Sequence, residues 1–295
     1  MIWFIVNRTS GNGNGAVRWA QTERRLAERG IAYGVRYTEY RGHARELAET
    51  LAAQPDTRAV VALGGDGTVN EVAGGLIGSG VPMGCIPSGS GNDFARSVGV
   101  PTDPQAALER IVRGEVRTID AAQLNGRRFV ISAGIGFDGE VARMTNESFY
   151  KRWLNRIRLG SLSYVISVLR LLVSYKPQTV TVELDGAVQT YRHVWLIAVA
   201  NLPYYGGGMR ICPDARGDDG RFHLCLVEGI TRGQLLMFFP RVFTGTHTSL
   251  SAVHMLSAAR VRIRSEQPLA IHVDGEWGGT TPAEIELIAG GLNII

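Results

Sequence analysis

Short apolar runs separated by polar, helix-periodic stretches set the rhythm of the first 120 residues. Residues 2–6, 34–37, 59–63 and 83–86 are mostly apolar and have the length of strands buried in a sheet. Between them, residues 16–29 carry their apolar side chains on one helical face, and a second helical stretch opens at Val69. Strands alternating with helices in this way build a parallel sheet from βα units. Beyond residue 120 the rhythm changes. Runs at 116–124, 128–132, 180–184, 194–200, 222–227, 261–263, 269–273 and 285–288 are rich in Val, Ile and Leu, with Asn125-Gly126 and Asp185-Gly186 as hairpin turn signals. The pattern predicts an α/β N-terminal domain over 1–120 and a mainly antiparallel β-sandwich second domain over 121–288.

One helical stretch interrupts the β-rich part. Between Phe149 and Tyr175, apolar residues recur every three or four positions, with Arg143, Lys151, Arg152, Arg156, Arg158, Arg170 and Lys176 in or beside them against Glu147 alone. Two readings fit: a core-packing helix with a solvated basic face, or a surface that rests on anionic lipid.

Three small-residue loops follow apolar runs and precede helices, the arrangement that gathers ligands at the carboxyl ends of parallel strands. The first is Asn7-Arg8-Thr9-Ser10-Gly11 and its continuation to Gly15, and the second is Gly64-Gly65-Asp66-Gly67-Thr68. The third runs from Pro87 through Ser88, Ser90, Asn92 and Asp93 to Arg96. Glycine lets a phosphate approach the backbone, and a helix N-terminus offers it free N–H groups. Asp66 either caps a helix or sits beside phosphate through a divalent cation, and Asp93 is either a metal helper or the N-cap of a helix from Phe94. Asp138-Gly139-Glu140 reads as a hairpin turn, structural or lining a substrate, and Asp219-Gly220 as a turn.

Taken in order, these loops, the stretch 213–220 and Asp274-Gly275-Glu276 resemble the diacylglycerol and lipid kinase catalytic-domain family, which shares the Gly-Gly-Asp-Gly-Thr element with NAD kinases and phosphofructokinases. The resemblance spans nearly the whole chain. It implies an N-terminal fold like theirs, with residues 289–295 returning to it, and transfer of the γ-phosphate of ATP to the hydroxyl of a membrane lipid, diacylglycerol-like. It also implies a nucleotide site at Asn7, Arg8, Thr9, Ser10, Gly11, Thr38, Gly65, Asp66, Gly67, Thr68, Val69, Asn70, Glu71, Ser90, Asn92 and Asp93. Mg2+ is implied at Asp66, and a general base at Glu276 first and Asp274 second. A second, structural Mg2+ is implied at Asp219 with the carbonyls of Arg216 and Arg221.

Bulk properties set limits. The net charge of +4 is mild, no nucleic-acid partner is expected, and a homodimer is left open. Cys85, Cys212 and Cys225 form neither a zinc nor a disulfide pattern, which suits a reducing cytoplasm. No leader and no window of about 20 apolar residues is seen, so the expectation is a cytoplasmic, peripherally membrane-associated protein. The only lysines, Lys151 and Lys176, lie outside the glycine loops, which excludes a Walker-A site. The alternatives are an NAD-kinase-like phosphotransferase or an NAD(P)-dependent oxidoreductase. The latter rests on Gly11-x-Gly13-x-x-Ala16 with Glu39, and four residues between Val6 and Gly11 are too many for a tight Rossmann turn.

Overall fold

A computed structural model describes residues 1–147 and 168–295. They gather into two compact units: 1–121 with 206–208 and 288–295, and 122–205 with 209–287.

The first unit is built on parallel strands β1 (Ile2–Val6), β2 (Tyr33–Tyr37), β3 (Ala59–Gly64) and β4 (Met83–Pro87), adjacent in the order β4-β3-β1-β2. Ile2 pairs with Tyr33 on one side and Ala59 on the other, while Val60 pairs with Met83. β3 and β4 are buried throughout, as expected of strands covered on both faces. Helices α1 (Asn14–Glu28), α2 (His43–Ala52), α3 (Asp66–Leu76), α4 (Asp93–Ser97) and α5 (Pro104–Arg113) follow the strands. Phe4, Trp19 and Tyr33 pack ring against ring with centroids 5.3 to 6.0 Å apart, which seats α1 on β1. The loop between β1 and α1 spans seven residues, longer than the tight turn that a dinucleotide fingerprint requires.

In the second unit the long β9 (Ala187–Ala200) organises the strands. Its first half pairs antiparallel with β8 (Gln178–Leu184). Its second half lies between β7 (Ser132–Gly136) and β10 (Phe222–Glu228). The chain of neighbours continues through β13 (Ala270–Val273) to β14 (Glu276–Thr280) on one side, and through β8 to β12 (Arg260–Ser265) on the other. β10 also pairs with β11 (Val253–Ala258). Helices α6 (Phe137–Glu147), α7 (Arg232–Phe238) and α8 (Arg241–Thr244) complete the named elements of this unit, and residues 168–174 are helical. Two strands serve both units. β5 (Arg117–Leu124) ends in the second unit against β6 (Arg127–Phe129). β15 (Ala283–Ile294) pairs with β12 at Ala283 to Glu286 and with β4 at Ile294.

Several expectations change. The strand expected at 128–132 divides into β6 and β7, and the one expected at 285–288 is the middle of the twelve-residue β15. Asp138-Gly139-Glu140 is not a hairpin turn but the first turn of α6, because the next residues, Val141-Ala142-Arg143-Met144, continue a helix rather than a strand. β11 and β14 have no counterpart among the predicted strands. Most of the basic helical stretch predicted from Phe149 lies outside the described residues.

Close packing at the start of α1 yields a test. A Cβ at Gly15 would lie 2.1 Å from the carbonyl oxygen of Asn7 and 2.5 Å from Ser10 Oγ. Gly13, at φ 91°, has open space around it. Gly15→Ala is expected to cost about 1–3 kcal/mol in urea unfolding by displacing backbone, and Gly13→Asn less than about 1 kcal/mol. Equal costs would show that the loop relaxes freely.

Candidate active site

The three small-residue loops meet at the carboxyl ends of β1, β3 and β4. Asn7 Nδ2 donates to Thr68 Oγ1 at 3.0 Å, and the hydroxyls of Ser10 and Ser88 lie 2.6 Å apart. Asn7 Oδ1 accepts from both the backbone and the hydroxyl of Thr9. A Cβ on Gly11 would fall 2.1 Å from the Ser88 carbonyl oxygen, and one on Gly89 would fall 2.8 Å from the Cα of Gly65. The loops therefore touch backbone to backbone, which only glycine permits. α3 begins without a side-chain cap, so its first turn can offer N–H groups to an anionic ligand, whereas the first N–H groups of α1, on Asn14, Gly15 and Ala16, donate to the carbonyls of Gly11, Ser10 and Arg8. Gly67, in the first turn of α3, faces open space.

The other expected nucleotide contacts divide by exposure. Arg8, Thr9 and Ser90 are exposed, with the Arg8 guanidinium 4.6 Å above the Tyr37 ring. Thr38 follows β2 and donates its N–H to Val6. Asn70 is half-buried, whereas Val69 is buried and has only backbone to offer a ligand. Glu71 is committed elsewhere: its two carboxylate oxygens accept the N–H groups of Gly42 and Ala44 at 2.9 and 3.1 Å. It thereby adds negative charge, beside Glu46 of the first turn, to an N-terminus of α2 that has no side-chain cap of its own.

Asp66 and Asp93 form the electrostatic centre of this unit. Asp66 accepts the N–H of Asn92 at 2.8 Å and of Asp93 at 2.6 Å, which ties the third loop to the start of α3. Burial raises its carboxyl above the usual range, and these N–H groups oppose the rise. Asn92, at φ 52°, precedes α4, so the N-cap position is Asn92 rather than Asp93. Its amide is bonded to both the N–H and the carbonyl of Gly89. Asp93 is 5% exposed. One of its carboxylate oxygens accepts Gly207 N–H at 2.7 Å, and the other has no hydrogen-bond partner. Burial, and then the neighbouring charge of Asp66, push its carboxyl up to about 6. A buried acceptor left bare beside a second carboxylate suits a cation that ties the two together, so the donor set fits Mg2+. Gly207, from the Gly206-Gly207-Gly208 run, is a participant that the strand and loop pattern did not reveal.

In the second unit, Asp274-Gly275-Glu276 closes the β13–β14 hairpin. The Asp274 carboxylate receives the N–H groups of Val130, Ile131 and Ser132 at 2.9 to 3.1 Å, and its own N–H returns to the Ser132 carbonyl. Burial raises its carboxyl while these N–H groups lower it. Such a residue anchors the turn. Glu276 instead opens β14 with one-third of its side chain accessible, held at 3.0 Å by Arg127, whose guanidinium also meets the Trp277 carbonyl. Behind the turn, Gly275 N–H donates to His272 Nδ1, and His272 Nε2 lies 2.8 Å from Asp138, a buried pair. The tripeptide beginning at Asp138 thus supports the one beginning at Asp274. Asp138 also reaches an apolar cavity lined by Phe137, Leu172, Leu196, Tyr205, Leu235 and Phe239.

Asp219 lies apart from all of these. It accepts Arg221 N–H at 3.1 Å and pairs with His223 at 3.0 Å. Among the described residues, no three His, Cys, Asp or Glu side chains converge as a metal cage.

Comparison with known proteins places this geometry. Residues 1–124 match the model of the diacylglycerol kinase catalytic domain, and residues 130–295 match that of the YegS C-terminal NAD kinase beta sandwich-like domain. A diacylglycerol kinase of Mycobacterium tuberculosis is 33% identical over 86% of this chain and 82% of its own. One of Bacillus subtilis is 30% identical over 95% of this chain and 91% of its own. The crystal structure of a diacylglycerol kinase from Bacillus anthracis superposes with a TM-score of 0.74 at 22% identity, covering 100% of this chain and 96% of that one. At that identity the likeness concerns the fold.

Asp93 sets a stability that falls with pH in chelated protein. Its carboxyl titrates near 3.8 in the unfolded chain and near 6 in the folded one. Between these values the folded state holds more protons, so folding weakens as pH rises through the window, by roughly 3 kcal/mol in all. Asp93→Asn removes this dependence. At pH 8 with chelator it is expected to be roughly 2–3 kcal/mol more stable than the parent, and the two should converge near pH 3.5. A variant less stable than the parent at pH 8 would contradict the account.

Proposed function

The chain belongs to the diacylglycerol and lipid kinase family, and on that premise we propose that it transfers the γ-phosphate of ATP to the hydroxyl of a diacylglycerol-like membrane lipid. The observation that carries the acceptor assignment is the apolar cavity of the second unit, with Asp138 as its acidic residue. A cavity of that chemistry accepts acyl chain rather than sugar or nucleotide.

The reading divides the labour between the units. In the first, the backbone of residues 7–11 and 65–68 and the free start of α3 would bind the phosphates of ATP, with Arg8 and Thr38 beside them. Asp93, oriented by Gly207, would hold Mg2+ through its bare oxygen, and Asp66 would support it while fixing the loop. Bound there, Mg2+ would neutralise charge on the transferring phosphoryl group. In the second unit, Glu276 would take the proton from the lipid hydroxyl, kept on its strand end by Arg127. Asp274 is the weaker candidate because its oxygens are already occupied by three backbone donors. Asp219, with the carbonyls of Arg216 and Arg221, remains the candidate for a structural Mg2+, and its test is metal-dependent melting. A cytoplasmic enzyme that reaches the membrane from outside fits the finding that, among the described residues, no helix is long and apolar enough to cross a membrane.

The proposal is tested by incubating the protein with radiolabelled ATP, Mg2+ and a panel of micellar acceptors: diacylglycerol, ceramide, a sphingoid base and phosphatidylglycerol. Label is expected in the lipid phase, most in phosphatidic acid; label found only in water-soluble products would refute a lipid acceptor.

Two variants separate the acids of the second unit. Glu276→Gln is expected to lower kcat by roughly 10²–10⁴-fold while leaving ATP affinity and melting temperature near the parent's. Asp274→Asn strips three N–H groups of a charged acceptor and is expected to lose about 2–4 kcal/mol of stability in denaturant unfolding. Near-normal turnover in Glu276→Gln would remove Glu276 from the base role.

A further inference from the structure

Behind the cavity wall, α7 and α8 show an anomaly. Seven of the nine residues from Leu235 to Phe243 are apolar, yet neither helix contains a buried residue. The helix itself is well specified, since Thr231 and Gln234 form a complete capping box. Leu235, Phe238, Phe239 and Val242 turn toward the cavity. Met237 and Phe243 do not, and they stand 64% and 49% exposed. Across the cavity, helical residues 168–174 repeat the arrangement. Val168 and Leu172 line the cavity, while Leu169 and Val173 are 45% and 76% exposed. The Arg232 guanidinium bonds the carbonyls of Leu172 and Tyr175, tying the two helical pieces together. The result is a set of outward apolar side chains on helical pieces whose inner sides line the cavity.

The charge on this face is one-sided. Residues 168–177 and 229–251 contain Arg170, Lys176, Arg232 and Arg241 and no Asp or Glu. A cationic fringe around an apolar face repels an identical copy across a two-fold axis but attracts an anionic surface. We propose that α7, α8 and residues 168–174 form the face by which this protein docks on an anionic bilayer, with Met237 and Phe243 entering the interface. The inference rests on the lipid-acceptor reading and adds to it the route: acyl chain leaving the bilayer passes between the helices that touch it into the cavity behind them. This attachment is of the interfacial kind, reversible and weakened by salt.

The test is co-sedimentation, without ATP, on phosphatidylcholine vesicles with and without about 30% phosphatidylglycerol. The parent is compared with Met237→Glu/Phe243→Glu, and a Met237→Ser/Phe243→Ser variant replaces it if circular dichroism or melting shows misfolding. The parent is expected to bind the anionic vesicles and to release with salt, and the double variant to bind at least about tenfold more weakly. Its activity on a monodisperse short-chain diacylglycerol should stay within about twofold of the parent's, while activity on vesicle-embedded substrate falls about tenfold. Unchanged vesicle binding in the variant, no vesicle binding by the parent, or a parent dimer that the variant abolishes would each overturn the docking face. Vesicle binding that follows the prediction, with no phosphorylation of any lipid by the parent, would instead refute the lipid kinase reading and leave the face standing.

Discussion

The carboxylate of Asp66 is the interaction on which the nucleotide-binding unit depends. It sits where β3 gives way to α3 and receives the N–H groups of Asn92 and Asp93 from the turn after β4. Two neighbouring strand ends thereby become one rigid rim. A neutral side chain there would lose charge-assisted bonds and leave buried N–H groups unsatisfied, each a cost of about 1–3 kcal/mol. Fixing residue 92 in the left-handed region and starting a helix at residue 93 aims the Asp93 side chain inward, where Gly207 takes one oxygen and the other stays bare. The acid that the motif displays thus anchors the rim through backbone donors, and the carboxylate with a bare oxygen is its neighbour 27 positions later in the sequence.

The second unit repeats that logic. Asp274 is consumed by three backbone donors from residues 130–132, and Glu276 two positions on keeps an accessible carboxylate in the grip of Arg127. In each unit an Asp spends its charge to set the backbone beside a second acid. Such economy suits phosphoryl transfer, where positioning and charge matter more than covalent participation. The buried His272–Asp138 pair adds a further support to the turn that carries Glu276.

How much of this was legible depended on the range of the interaction. The buried strands at 2–6, 59–63 and 83–86 and the small-residue loops after them stood out because strand burial and glycine turns are local properties. The partner of Asp66 could not be read, since 26 residues separate it from Asn92 and only the packing of β3 beside β4 brings them together. Glu71 looked like part of a phosphate loop because its sequence neighbours are; its role is set by Gly42, from another βα unit. The two Asp-Gly-Glu tripeptides show the same limit. One begins helix α6 and the other turns a hairpin, and the difference lies in the residues just after each, Val-Ala-Arg-Met against Trp-Gly-Gly-Thr. β14 escaped notice because its two glycines dilute the strand signal.

The central claim is that the metal-nucleotide site belongs to Asp93 in one unit and the proton-accepting group to Glu276 in the other. Calorimetric titration with ATP, with and without Mg2+, on the parent, Asp93→Asn and Glu276→Gln tests it most directly. The account predicts that Mg2+ strengthens ATP binding in the parent and in Glu276→Gln alike, and that Asp93→Asn loses this enhancement while still binding metal-free ATP. Mg2+ enhancement that survives Asp93→Asn, or disappears in Glu276→Gln, would contradict it.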